Sequence, residues 1–113
     1  MFTHLRIQVT DTAFPKIMVV PVKHRIVLGR SDEDDPTHRP DVDFLSCNAL
    51  RNGISRSHAM IETSNNNEIH LIDLDSRNGT FLNDEQLIPN QAVMIKDGDQ
   101  VQLGRLKMTI HME

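Results

Sequence analysis

The chain has 113 residues, 38% hydrophobic and 25% charged, the balance of a soluble globular domain with one core. A net charge of −4 leaves no broad basic footprint for nucleic acid, and 4% aromatics without Trp or Tyr leave no platform for stacked bases. Cys47 is alone and cannot close an internal disulfide, no apolar run approaches membrane-spanning length, and the N-terminus does not read as a signal peptide; a reducing, cytoplasmic setting without membrane insertion is expected.

In chain order, short β-prone runs alternate with turn residues. Leu5–Thr10 alternates apolar and polar residues and predicts a half-buried strand. Ile17–Pro21 and Arg25–Leu28 follow, the latter closed by Gly29-Arg30. From Ser31 to Ile54 no long strand is evident, and a loop of that length inside a compact domain is uncommon and often functional. Asp41–Phe44 predicts a short edge strand within it; a helix near Val42–Leu50, in a small α+β fold, is the alternative. The run Asp32-Glu33-Asp34-Asp35 reads as a solvated loop tip. It lacks the Gly-centred spacing of a calcium loop, so no metal is expected there.

Further strands are predicted at His58–Thr63, Glu68–Leu74, Thr80–Leu82, Gln91–Ile95, Gln100–Leu103 and Leu106–His111. Asn65-Asn66-Asn67, Asn83-Asp84 and Asp97-Gly98-Asp99 read as hairpin turns, because Asn, Asp and Gly tolerate positive φ. All five glycines stand at ends of runs or in loops. Punctuation of that kind predicts an all-β fold, a sandwich of two antiparallel sheets.

Polar clusters sit at three strand ends: Gly29-Arg30, Ser55-Arg56-Ser57-His58 and Ser76-Arg77-Asn78-Gly79-Thr80. Together they supply guanidinium forks, hydroxyls and an amide, without an evident base–nucleophile pair. That inventory suits a phosphate, whose oxygens accept hydrogen bonds and carry about −1.5 to −2 charges at neutral pH. Arginine offers such an anion two parallel donors. An asparagine amide both donates and accepts, and so can pair with a peptide backbone.

In that order, the three clusters resemble the signature of the forkhead-associated (FHA) domain. Asp73-Leu74, Asn83 and Asp97-Gly98-Asp99 add to the resemblance, which spans roughly residues 5–111. It implies that residues 1–113 form a single FHA domain: a β-sandwich of about eleven strands with binding loops at one end. It also implies a phosphopeptide-binding module that recognises phosphothreonine in a partner protein, itself the substrate of a Ser/Thr kinase. No catalysis, no cofactor and no nucleic acid are implied. Pro40–Phe44 followed by Gly53-Ile54-Ser55 looks most like bacterial members.

Residue by residue, Arg30 resembles the family's main phosphate-binding arginine, and Ser55 the serine whose hydroxyl touches the phosphate. Arg56 occupies a position that contacts peptide backbone or phosphate. Asn78 resembles the asparagine that fixes the peptide backbone. Arg77 departs from a common version with Ser or Thr before the asparagine; it either adds a cation near the peptide or points to solvent. Gly29, His58, Gly79 and Asn83 are expected to support the site, His58 as a brace for the Ser55 loop. Asp84 stands where the family often has Gly after Asn83, which leaves that hairpin's type open.

Taken singly, each feature has a plainer reading. Arg30 alone is a surface arginine, Ser55 a turn hydroxyl and Asn78-Gly79 a hairpin turn. Their co-occurrence carries the inference. The alternative function is a phosphate-independent interaction scaffold of the same fold. A hydrolase using Ser55 and His58 lacks a G-x-S-x-G elbow and an orienting acid.

Overall fold

The computed structural model describes residues 2–10, 16–64 and 66–113. Among them run β1 (His4–Val9), β2 (Lys16–Pro21), β3 (Arg25–Gly29), β4 (Val42–Asp43), β5 (Ser57–Thr63) and β6 (Ile69–Asp73). They continue with β7 (Thr80–Leu82), β8 (Glu85–Gln86), β9 (Val93–Ile95), β10 (Asp99–Leu103) and β11 (Leu106–Met112). Six strands form one sheet in the order β2-β1-β11-β10-β7-β8, and five form the other in the order β4-β3-β5-β6-β9.

Alternation explains the layering. β1 turns Leu5, Ile7 and Val9 inward, and β11 turns Leu106, Met108 and Ile110. These join Ile26 and Leu28 of β3, Ile61 of β5 and Ile69 and Leu71 of β6 in one buried cluster. Burial of each such side chain contributes about 1.5–3 kcal/mol before its ordering cost.

Every predicted run contains a strand, with ends displaced by a residue or two. Asn83 and Asp84 join β7 to β8 with φ of +48° and +71°, both left-handed, which makes that hairpin type I′. The all-β architecture in two sheets is as expected, and two details need correction. Asp97-Gly98-Asp99 does turn, with Asp99 N–H donating to the Lys96 carbonyl at 3.0 Å. It is no hairpin, however, because β9 and β10 lie in different sheets. Turn residues encode the reversal but not the sheet that the next strand joins. The sheets are also not wholly antiparallel: β4 runs parallel to β3, with Leu28 opposite Val42. In place of the alternative helix, the Val42–Leu50 region holds β4 and a single 3-10 turn, Leu45–Cys47. The Asn65–Asn67 turn lies partly outside the described residues, since Asn65 is not among them.

One irregularity positions the site. Between β3 and β5, Leu28 faces Ala59 while Gly29 faces Ser57, so His58 is an extra residue in β5. A bulge of this kind reverses which residues point inward. With Ala59 and Ile61 on the core side, strict alternation would have sent Ser57 inward and His58 out; instead Ser57 is exposed and His58 is fully buried. The bulge also brings the main chain of Arg56 against Gly29, where an added Cβ would lie 1.9 Å from the Arg56 carbonyl oxygen. At Gly98, by contrast, a Cβ would meet nothing within 4 Å and bear only the strain of φ +86°.

Gly29→Ala should therefore destabilise by about 2–3 kcal/mol or more, because backbone has to move. Gly98→Ala should cost about 1 kcal/mol. Paired denaturant melts check the order, and equal losses would contradict the packing argument.

Candidate functional site

The antiparallel pairings place four chain reversals at one end of the sandwich. β3 ends beside the start of β5, and β6 ends beside it on the other flank. In the facing sheet, β7 starts opposite the end of β10, where Gly104-Arg105 turns into β11. The loops after β3, before β5, between β6 and β7, and between β10 and β11 therefore converge.

The main chain of residues 52–56 holds the candidate side chains. Arg30 Nε donates to the Ile54 carbonyl at 2.8 Å, and Asn78 Nδ2 donates to the Gly53 carbonyl at 2.9 Å. Arg105 N–H donates to the Asn52 carbonyl at 2.9 Å, and Arg30 N–H to the Arg56 carbonyl at 3.2 Å. Gly53 has φ +74°, and a Cβ there would sit 2.5 Å from Asn78 Nδ2, so a side chain would push the asparagine away. Among the described residues, the terminal nitrogens of Arg30 have no partner, and the Asn78 amide oxygen stays open.

His58 ties this segment to the opposite sheet. Ser55 N–H donates to His58 Nδ1 at 3.0 Å, and His58 Nε2–H donates to the Gly79 carbonyl at 2.8 Å. The first bond needs a bare Nδ1 and the second a protonated Nε2, so the ring is the neutral Nε2–H tautomer. Burial pushes its pKa below the ordinary value; the Gly79 bond and nearby Asp73 pull the other way without prevailing. The Ser55 hydroxyl is therefore not paired with His58. Its oxygen lies 3.5 Å from Arg77 N–H, and its own hydrogen remains available.

The loop between β6 and β7 is built on Asp73, 1% exposed at a core-facing position. Its carboxylate accepts the Ser76 and Thr80 hydroxyls, each at 2.6 Å, and the Ser76 N–H at 3.3 Å. Ser76 Oγ in turn accepts Gly79 N–H at 3.0 Å. The buried charge is thus hydrogen-bonded on several sides. Gly79 has φ +88°, and its carbonyl accepts from His58 and from Gly104 N–H at 2.9 Å.

Arg30, Ser55 and Asn78 come together at this end, with Gly29, His58 and Gly79 beneath them. The exposed Arg77 follows the Ser55 hydroxyl; among the described residues its guanidinium has no ion pair. Arg56 lies at the rim, 3.6 Å from Asp32 and 3.7 Å from Asp35. The acidic run is therefore more than a solvated tip, since two of its carboxylates face a cation. Asn83 is not brought into the cluster; its amide clasps β10 through Gln100 N–H at 3.0 Å and Asp99 at 3.2 Å.

Sequence reasoning missed several supports. Asp43 accepts Ser31 and Leu45 N–H, each at 3.0 Å; burial opposes its charge, but the Ser31 side chain first, then these two N–H groups, outweigh it and hold its pKa below the usual range. Asp73 was readable only as part of a motif, although an Asp amid Ile69-His70-Leu71-Ile72 is a signal of a buried polar role. Gly53 was visible only within the Gly53-Ile54-Ser55 resemblance, and nothing in the sequence tied the Gly104-Arg105 turn to the site. A hollow of about 460 Å³ flanks Arg30 on the side of Leu45 and Leu50. Another of about 340 Å³ flanks Asn78 beside Phe81 and Arg105.

A family model described as FHA domain matches residues 26–104. The chain is 36% identical over 55 residues to the glycogen accumulation regulator GarA of Mycobacterium tuberculosis, covering 49% of this chain and 32% of that protein. It is 41% identical over 51 residues to mouse E3 ubiquitin-protein ligase RNF8, covering 45% of this chain and 10% of that protein. The chain thus spans a third or less of these two relatives. The N-terminal FHA domain of S. cerevisiae Rad53p, solved with a phosphothreonine peptide, superposes with TM-score 0.78 at 19% identity, covering 97% of this chain and 94% of that one. At that identity the likeness bears on the fold.

Two outcomes follow for the frame. The folded pKa of His58 lies below its unfolded value of 6.5, so its contribution is complete above that pH. It is lost as pH falls through the window down to the folded value, with a slope of at most about 1.4 kcal/mol per pH unit. Melting should therefore weaken between neutral and mildly acidic pH in the wild type. In His58→Ala it should be lower at neutral pH and flatter across that window. Asp73→Ala should cost about 1–3 kcal/mol by leaving the Thr80 and Ser76 hydroxyls unpaired; a denaturant midpoint equal to wild type would contradict the network.

Proposed function

The chain belongs to the FHA domain family, and on that premise we propose that it is a phosphopeptide-binding module. It recognises phosphothreonine in a partner protein, and a Ser/Thr kinase writes the mark. The observation that supports this most directly is the meeting of Arg30, Ser55 and Asn78 on one main-chain frame. Each keeps donors that no described residue takes up.

The roles follow from what each group has left to offer. Arg30 is fixed through Nε, so its terminal nitrogens are presented with little rotamer freedom left to lose. They would grip the phosphate. The Ser55 hydroxyl adds a short bond to a phosphate oxygen. Asn78 is steered by Gly53 and pairs with the peptide backbone through its amide oxygen and second N–H. Arg56 and Arg77 border the anion as further cations.

A binding module is favoured over an enzyme because both His58 nitrogens are committed to main-chain groups. The ring is thus no base for the Ser55 hydroxyl. Among the described residues no helix is long and apolar enough to cross a membrane. A cytoplasmic setting, where kinases act on threonine and Cys47 stays a buried free thiol, fits this role.

The test is a degenerate threonine-peptide library in phosphorylated and plain forms, followed by titration of the tightest phosphopeptide. Strict phosphate dependence supports the proposal, and equal binding of both forms selects the phosphate-independent scaffold. Arg30→Ala should lose about 2–5 kcal/mol of binding, roughly 30-fold to several thousandfold, while the melt falls only by the lost Ile54 bond, about 0.5–1.5 kcal/mol. Arg30→Lys should recover little, since an ammonium does not copy the planar fork. Ser55→Ala should cost about 0.5–3 kcal/mol. A folded Arg30→Ala that binds like wild type would remove the phosphate-reader assignment.

A further inference from the structure

Arg56 differs from the other candidate ligands because its charge is already answered. The guanidinium stands between Asp32 and Asp35 at 3.6 and 3.7 Å, with half of the arginine side chain exposed. Both separations exceed hydrogen-bond length, so the attraction is Coulombic and partly wet. A phosphate oxygen accepting a charge-assisted bond would approach to about 2.7–2.9 Å. The existing contact is therefore one that a better anion can replace.

The carboxylates are held in place without Arg56. Asp32 accepts Asp34 N–H at 2.9 Å, and Asp35 accepts the Thr37 hydroxyl at 2.6 Å. Asp35 N–H donates to the Asp32 carbonyl at 3.1 Å, closing a tight turn that fixes both side chains on one side. The Thr37 hydroxyl first, with Arg56 and His38 adding, holds the Asp35 carboxyl below the usual range, so it is charged at neutral pH. His38 Nε2–H donates to the Arg56 carbonyl at 2.9 Å, tying the turn to the arginine's own main chain. Loop and arginine are thus a preformed pair, with Ser55, Arg56, His38 and Asp35 lining one hollow.

We propose that Asp32 and Asp35 act as a built-in counter-anion for Arg56 that an incoming phosphate must displace. The turn lowers affinity for every phosphorylated ligand and so sets the threshold at which the module engages. It also makes Arg56 a conditional ligand, freed from the carboxylates only when a phosphate takes their place. This inference rests on the phosphate-reading assignment above.

The test uses Asp32→Asn with Asp35→Asn, titrated against the tightest phosphothreonine peptide from the library and its unphosphorylated twin. The same two substitutions are then placed in an Arg56→Gln background. The expected result is a phosphopeptide affinity roughly threefold to tenfold higher than wild type. In Arg56→Gln the gain should shrink below about twofold, and in about 0.5 M salt it should largely vanish. Each single substitution should give part of the gain, which keeps the test decisive if the double variant melts early. Unchanged or weaker binding by folded variants overturns the proposal, because the carboxylates would then be supports. An undiminished gain in Arg56→Gln overturns it as well, since a general field rather than release of Arg56 would be acting. A folded wild type that ignores the phosphate fails in a separate way, taking the reader assignment and this inference together.

Discussion

The binding end of this sandwich depends on one buried imidazole. No strand pairing joins the Ser55 loop to the Gly79 turn, since they belong to opposite sheets. His58 joins them, accepting from one main chain and donating to the other. Only a neutral ring does both, because a protonated one would set its Nδ1–H against the Ser55 N–H. The bulge in β5 makes the arrangement possible by turning a residue inward that strict alternation would have sent to solvent. Loss of the ring would leave the Ser55 N–H without its partner and the Gly79 carbonyl with the Gly104 N–H alone, cutting the link between the two sheets.

Around that joint, the site is held by carbonyl groups more than by side chains. Consecutive carbonyls of Asn52, Gly53 and Ile54 receive Arg105, Asn78 and Arg30. Main-chain acceptors in a short rigid segment fix donors to within a fraction of an ångström, which is what recognition of a small tetrahedral anion needs. The same logic accounts for Gly29 and Gly53, where neighbouring groups occupy the space of a Cβ. Asp73 does the equivalent for the facing loop with a buried charge and three donors.

Much of this was legible in the sequence, and the limits have physical causes. The period-two pattern of Leu5, Ile7 and Val9, and of Val101 and Leu103, locates strands because one face is buried. It does not say which sheet a strand joins, and so Asp97-Gly98-Asp99 passed for a hairpin turn. The parallel pairing of β4 with β3 depends on how a long loop returns, which no local pattern records. At the site, Arg30, Ser55 and Asn78 were readable as an ordered set. Their anchors were not, because an anchor that is a carbonyl has no letter in the sequence. Arg56 was visible as a cation, while its partners Asp32 and Asp35 looked like an ordinary solvated run.

The pairing of the first strand with the last has a consequence for presentation. Leu5 lies opposite Met112, and β11 begins at the turn that touches the site. His4 and Met112 therefore stand at the pole farthest from the loops. A tether, tag or neighbouring domain joined near either of them would leave the recognition pole facing outward. Several copies anchored by that pole to a common support would all offer their loops to the same side, the geometry that multivalent engagement requires.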